Sequence, residues 1–247
     1  MAIKSIQYNQ HTLDISYEII NQKASVDIII LHGWGSNKEL MKTSFSKYMS
    51  GFRHIYIDLP GFGNSTCNIA LKTEDYARIV ELLMIHINAS KDIIVGHSFG
   101  GKVATLLEPK VLVLLSSAGI YIPKPLKVSA KIALFKAIKL FGSERLRDMF
   151  VAEDAKTLSE PMYQTFKNVV DEDFTKEFEN FQNKALLCWG KEDTATPLHT
   201  GKKIESLIKN STLVEYDSDH YFFMKYAEDI SIKIEDSFLK TLEFIKK

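Results

Sequence analysis

The chain has 247 residues with 31 basic and 31 acidic side chains, and a charge balance of this kind gives no electrostatic reason to expect nucleic acid or a membrane surface as the main partner. Its hydrophobic fraction of 45% is enough for a substantial core in one large or two small domains. No run approaches the roughly 18 apolar residues of a membrane span, and Met1–Gln7 holds no apolar signal-peptide core, so the expected setting is the cytoplasm.

Segments 5–9 and 13–20 predict an antiparallel hairpin that turns at Asn9-Gln10-His11. Strands and helices then alternate: strand 26–31, helix 37–49, strand 53–58, helix 73–89, strand 92–97, helix 99–107, strand 111–116. Continuous apolar runs such as Val111-Leu112-Val113-Leu114-Leu115 suit strands buried on both faces. The alternation predicts an α/β fold, a mostly parallel, doubly wound sheet with its site at the carboxyl ends of the strands. It stops after Ser116-Ser117-Ala118-Gly119, and residues 120–183 hold no convincing strand. Lysines recur there at helical spacing opposite an apolar face, as in 131–141, which predicts an inserted helical cap over the site. The aromatic residues Tyr121, Phe135, Phe141 and Phe150 of this insert stand at core-like spacing. Strands resume at Ala185–Trp189 and Thr212–Tyr216, and 227–246 reads as a final amphipathic helix. The expected organisation is a core built from 1–119 and 184–247 with the cap at 120–183.

Gly96-His97-Ser98-Phe99-Gly100 follows the apolar run Asp92–Val95 and opens a helix-compatible stretch. A serine in a G-x-S-x-G turn between strand and helix is held exposed at the sheet edge, with glycines where side chains would crowd. A serine hydroxyl needs a base to become a nucleophile. Acid and base candidates follow later strands, in Gly190-Lys191-Glu192-Asp193 and in Asp217-Ser218-Asp219-His220. Upstream stand His32-Gly33-Trp34-Gly35, after the strand that ends at Leu31, and Asp58-Leu59-Pro60-Gly61-Phe62-Gly63-Asn64-Ser65.

With these five motifs in register over nearly its whole length, the chain resembles the α/β-hydrolase superfamily in its serine-nucleophile branch. The order Ser98, Asp193, His220 matches that superfamily's chain order. The resemblance implies Ser98 as nucleophile, His220 as base, Asp193 as the acid that orients it, and the backbone N–H groups of Trp34 and Phe99 as the oxyanion hole. Glu192 and Asp219 are the competing acids. Among the other histidines, His11, His54 and His86 are expected at the surface or an edge, His97 packed beside the elbow with a substrate contact as the second reading, and His199 at a helix start, and His32 is expected to brace the oxyanion loop. Trp34 is expected to form a pocket wall with its indole, Trp189 to lie in the core, and Tyr221-Phe222-Phe223 either to line the pocket or to pack beneath the histidine loop. Cys67 and Cys188, with no paired spacing, read as free thiols and give no zinc pattern; neither a metal nor a cofactor is expected.

The expected reaction is hydrolysis of a small-molecule carboxylic ester or thioester through an acyl-enzyme. The His-Gly-Trp-Gly and Asp-Leu-Pro-Gly-Phe-Gly segments look like those of pimeloyl-acyl-carrier-protein methyl ester esterases, although the elbow of those enzymes often reads Gly-Trp-Ser-Leu-Gly. Carbon–carbon hydrolases of meta-cleavage products share the triad and cap, and a non-catalytic binding protein on the same scaffold is a third reading. Between 121 and 147 stand five lysines and two arginines against Glu144 alone. They read either as a solvated helix face or as a dock for an acidic acyl carrier protein.

Overall fold

A strand covered on both faces needs an apolar residue at almost every position, and β3 (Asp27–Leu31), β5 (Ile93–His97) and β6 (Val111–Leu115) are buried at every residue. The computed structural model describes residues 1–122 and 158–245. Within them β1 (Ala2–Tyr8), β2 (His11–Ile20), β4 (Arg53–Ile57), β7 (Lys184–Gly190) and β8 (Ser211–Tyr216) complete one sheet in the order β1-β2-β4-β3-β5-β6-β7-β8. The β1/β2 and β2/β4 pairs are antiparallel and the remaining five parallel, which is the expected doubly wound arrangement.

The first turn is tighter than expected. Tyr8 pairs with His11, leaving Asn9 and Gln10 alone at φ 45° and 65°, the two positive values that a two-residue hairpin turn demands. Helices α1 (Lys38–Phe45) and α2 (Thr73–His86) each stop short of the expected end. Met49 and Phe52 continue the apolar pattern beyond α1 and are buried, although the chain there has left the helix. Asn88, at φ 50°, turns the chain from α2 toward β5.

Helices cover both faces of the sheet. On one face α2, α3 (Phe99–Leu106), α4 (Glu160–Val169), α5 (Thr175–Asn180) and α6 (Leu198–Leu207) bury Tyr76, Val103, Met162, Phe178 and Ile204 against Ile29, Leu31, Leu112 and Leu187. On the other, α1 and α7 (Phe223–Ile245) bury Met41, Phe45, Ile230, Ile234 and Phe238 against Ile28, Ile30, Val95 and Val113. The last helix begins four residues earlier than expected, with a non-helical residue at Tyr226 (φ −111°, ψ 21°). Residues 158–183 are helical where they are regular, in α4 and α5. The expected helix around 131–141, with Phe135, Phe141 and Phe150, lies outside the described residues.

His54 corrects a sequence expectation. It sits on β4, an interior strand, fully buried, with Nδ1 2.8 Å from the Tyr56 hydroxyl and Nε2 2.9 Å from the Met49 carbonyl oxygen. Partners for both ring nitrogens let a histidine occupy a core position, and burial lowers its pKa.

Candidate active site

In an open α/β sheet the crevice lies where neighbouring connections leave in opposite directions, and here that point falls at the carboxyl ends of β3 and β5, with β4 on one side and β6 on the other. Ser98 joins β5 to α3 at φ 51°, ψ −116°, a conformation that costs a non-glycine residue on the order of 1–3 kcal/mol. Surrounding bonds hold it there: Ser98 N–H donates to Leu115 O at 3.1 Å, and its carbonyl accepts from Gly101 N at 3.0 Å and Ala118 N at 3.1 Å. A Cβ on Gly96 would lie 2.3 Å from Gly100 O, the crowding expected of such a turn. At Gly100 the obstacle is instead the end of β3, since a Cβ would lie 2.5 Å from His32 O and 2.9 Å from Leu31 O.

Asp193 and His220 are brought together from the loops after β7 and β8, with His220 Nδ1 2.7 Å from Asp193 Oδ2. The Asp193 side chain is fully enclosed. Its Oδ1 accepts from Ala195 N at 2.8 Å and Thr196 N at 2.9 Å. Burial opposes ionisation, but the His220 hydrogen bond and the Thr196 N–H outweigh it and hold the carboxyl down to about 2. The Thr196 hydroxyl stands 2.9 Å from Asp193 Oδ2 and 3.0 Å from Ser116 O, so its single proton serves one of them. The competing acids stand apart: Glu192 is exposed, and Asp219 Oδ1 accepts from Tyr221 N at 2.9 Å.

The loop carrying Trp34 is tied to the β4 loop at both ends. His32, buried, donates from Nδ1 to Gly33 O at 2.8 Å and accepts from Leu59 N at Nε2 at 2.9 Å; burial pushes its pKa down to about 4, and this bracing matches its expected role. At the other end Lys38, the first residue of α1, reaches Asp58 Oδ2 from Nζ at 2.6 Å, with both side chains fully enclosed. Asp58 also accepts from Lys38 N at 2.8 Å and Asn64 N at 3.0 Å, and these bonds lower its pKa against the effect of burial. The half-buried Trp34 indole forms an aromatic wall with Phe62 (4.9 Å between centroids), Phe166 (5.4 Å) and Phe99 (5.7 Å). Trp189 is a core residue as expected, with Nε1 donating to Thr196 O at 2.8 Å. Phe222 and Phe223 are buried, while Tyr221 is exposed.

Several neighbours of the site carried no sequence signal. Lys102 on α3 is buried, and its Nζ donates to Val169 O at 2.6 Å and to Glu172 Oε2 at 2.9 Å. The Thr73 hydroxyl donates to the same Glu172 oxygen. Phe174 N donates to Gly119 O at 2.7 Å, so the two ends of the segment from 120 to 173 meet at one place. A cavity of about 190 Å³ opens beside this neck, between Ser117, Ala118, Gly119, Thr196 and Thr200. Among the described residues no group of three or more His, Cys, Asp or Glu is placed to hold a metal ion, and no helix is long and apolar enough to cross a membrane. Cys67 and Cys188 are both free thiols. The basic run from Lys124 to Arg147 lies outside the described residues.

The Alpha/beta hydrolase family matches residues 28–230. The chain is 24% identical over 241 residues to a pimeloyl-[acyl-carrier protein] methyl ester esterase of Vibrio campbellii, covering 85% of this chain and 93% of that protein. It is 25% identical over 248 residues to a 2-hydroxy-6-oxononadienedioate/2-hydroxy-6-oxononatrienedioate hydrolase of Pseudomonas putida, covering 85% and 86%. Among solved structures, a thermophilic esterase from Thermogutta terrifontis superposes with a TM-score of 0.74 at 18% identity, over 98% of this chain and 99% of that one.

Proposed function

We propose that this chain, which belongs to the alpha/beta hydrolase family, is a serine hydrolase that cleaves a carboxylic ester or thioester through an acyl-enzyme. The observation that carries this reading is the 2.7 Å pairing of His220 with an enclosed Asp193, taken with a serine held at positive φ at the switch point of the sheet. In this mechanism His220 takes the Ser98 proton as the oxygen attacks the acyl carbon. Asp193 fixes the tautomer and steadies the imidazolium, and the Trp34 and Phe99 amides receive the oxyanion. The leaving group takes the proton back, and water then repeats the sequence on the acyl-enzyme. The helical insert 120–183 is proposed to fold over Ser98.

Ser98→Ala and His220→Ala each lower turnover of a short-chain aryl ester by on the order of a thousandfold or more, because the members of a triad act as a unit. Retention of most activity by Ser98→Ala would show that another group is the nucleophile. We further propose a carrier-borne acyl group as the substrate, on two supports: the basic run between 121 and 147 and the likeness to the Vibrio campbellii enzyme. Docking through charge is screened by salt. Catalytic efficiency toward a carrier-linked ester therefore falls steeply between low salt and about 0.3 M, while that toward a small neutral ester stays level. Equal salt dependence for the two substrates removes the carrier.

A further inference from the structure

His97 touches the three parts of the candidate site at once. Its ring is buried, and Nε2 lies 3.1 Å from the carbonyl oxygen of His220. A carbonyl has no proton to give, so Nε2 carries the ring hydrogen and Nδ1 is left as a bare acceptor. Nδ1 has no hydrogen-bond partner and faces Gly33, where a Cβ would come within 2.9 Å of it and 3.0 Å of Ser98 Cβ. The His97 and His220 ring centroids are 4.6 Å apart, with the Phe223 ring at 4.8 Å and the Tyr221 ring at 5.5 Å from His97.

The base loop needs such a tie. It follows β8, an edge strand, whereas Ser98 follows β5, three strands further in, roughly 14 Å away across the sheet. Bonds from Lys191 N to Tyr216 O (2.8 Å) and from Glu192 N to Ser218 O (3.0 Å) join the base loop to the acid loop, its immediate neighbour. They do not reach the elbow, whereas His97 does. Resting on the serine-hydrolase reading, we infer that His97 is a positioning residue: its Nε2–H bond to the His220 carbonyl and its ring face fix the base loop against the elbow, so that the His220 imidazole meets Ser98 and Asp193 together. Burial first, and the charge of His220 next, push the His97 pKa down to about 3. His97 therefore stays neutral while its neighbour takes up a proton. The other titratable groups that face it are Asp193, His32 and the phenol of Tyr221.

The test uses His97→Phe, which keeps a ring and loses the donor, and His97→Gln, which returns an N–H at similar reach. A displacement of the base by about 1 Å is worth about a hundredfold in rate. His97→Phe is expected to lose roughly 30- to 100-fold in kcat with KM within about threefold, and the rate at which a fluorophosphonate labels Ser98 falls in parallel. His97→Gln recovers most of that loss. If His97→Phe does not fold, His97→Asn, too short to reach the carbonyl, takes its place. Turnover and labelling of the donorless variant within about threefold of the parent, or a His97→Gln protein as slow as the donorless one, would overturn the assignment. A readout independent of hydrolysis is the Nδ1 proton of His220, identified in proton NMR by its absence from His220→Ala. It exchanges rapidly in the donorless variant and is protected in the parent and in His97→Gln; equal protection in all three refutes the positioning role. If the parent neither hydrolyses esters nor reacts with the fluorophosphonate, the serine-hydrolase reading fails, and this proton still decides what His97 does.

Discussion

At the scale of single residues, Asp193 carries most of the electrostatic order of the site. Its two oxygens meet two backbone N–H groups, the Thr196 hydroxyl and the His220 ring. Asp193→Asn places an amide where His220 requires an acceptor on one oxygen, which favours the wrong imidazole tautomer. Its kcat is expected to fall on the order of a hundredfold or more, whereas Thr196→Val, which keeps both backbone donors, costs about tenfold or less. A severe loss at Glu192→Gln with a mild one at Asp193→Asn would move the acid to Glu192. Because folding lowers the Asp193 pKa to about 2, the native state gives up this proton more readily than the unfolded chain. The resulting stabilisation, about 2 kcal/mol, is fully present above about pH 4 and is lost as pH falls toward 2. Asp193→Asn removes that part of the acid dependence.

Among the elements, the loop between β3 and α1 owes its place to clamps at its two ends, His32 to Leu59 N and Lys38 to Asp58. Removing one partner of an enclosed ion pair strands the other charge, at a cost of about 3 kcal/mol. Lys38→Met is accordingly expected to lower the melting temperature by roughly 10 °C and to reduce kcat more than it changes KM, because the loop carries the Trp34 amide. A melting temperature within about 2 °C of the parent would show that the pair does not hold the loop. The sequence showed this loop and its His32 brace but not the Lys38–Asp58 pair. A turn such as Gly96–Gly100, or an acid and a histidine each following an apolar strand, is written in consecutive residues and can be read locally. Lys38 finds Asp58 across 20 residues, Lys102 finds Glu172 across 70, and Phe166 reaches Trp34 from an insert whose pattern predicted a helical cap over the site but not which of its residues meets the Trp34 loop. His54 was misplaced for the same reason, since its burial depends on Tyr56 and Met49 offering partners that a lone histidine on an apolar strand does not announce. The strands of a mostly parallel sheet were legible because buried parallel strands need unbroken apolar runs, while helix ends were not, since Met49 and Phe52 extend the apolar pattern past the last helical turn.

Over the whole molecule, acid sensitivity follows from histidines enclosed without charge. His32 and His97, held down to about 4 and about 3 by burial, remain neutral in the folded protein at a pH where the unfolded chain has already protonated them. Each contributes stability that is complete above about pH 6.5 and is lost as pH falls through the native value, so the melting temperature should decline steadily below about pH 6. His97→Phe flattens part of that decline, and an unchanged slope would mean that His97 is not buried neutral. The neck at Gly119 and Phe174 gives the fold a different kind of freedom. The insert starts and finishes at one hydrogen bond, between Gly119 and Phe174, and its returning part is fastened to the core besides, through Phe166 on Trp34, Thr165 on Leu71 and Glu172 on Thr73 and Lys102. Closing a loop twice as long costs only about 0.6 kcal/mol more, so a chain of this plan can lengthen or shorten ahead of that fastened part and leave Ser98, Asp193, His220 and the eight-stranded frame where they stand.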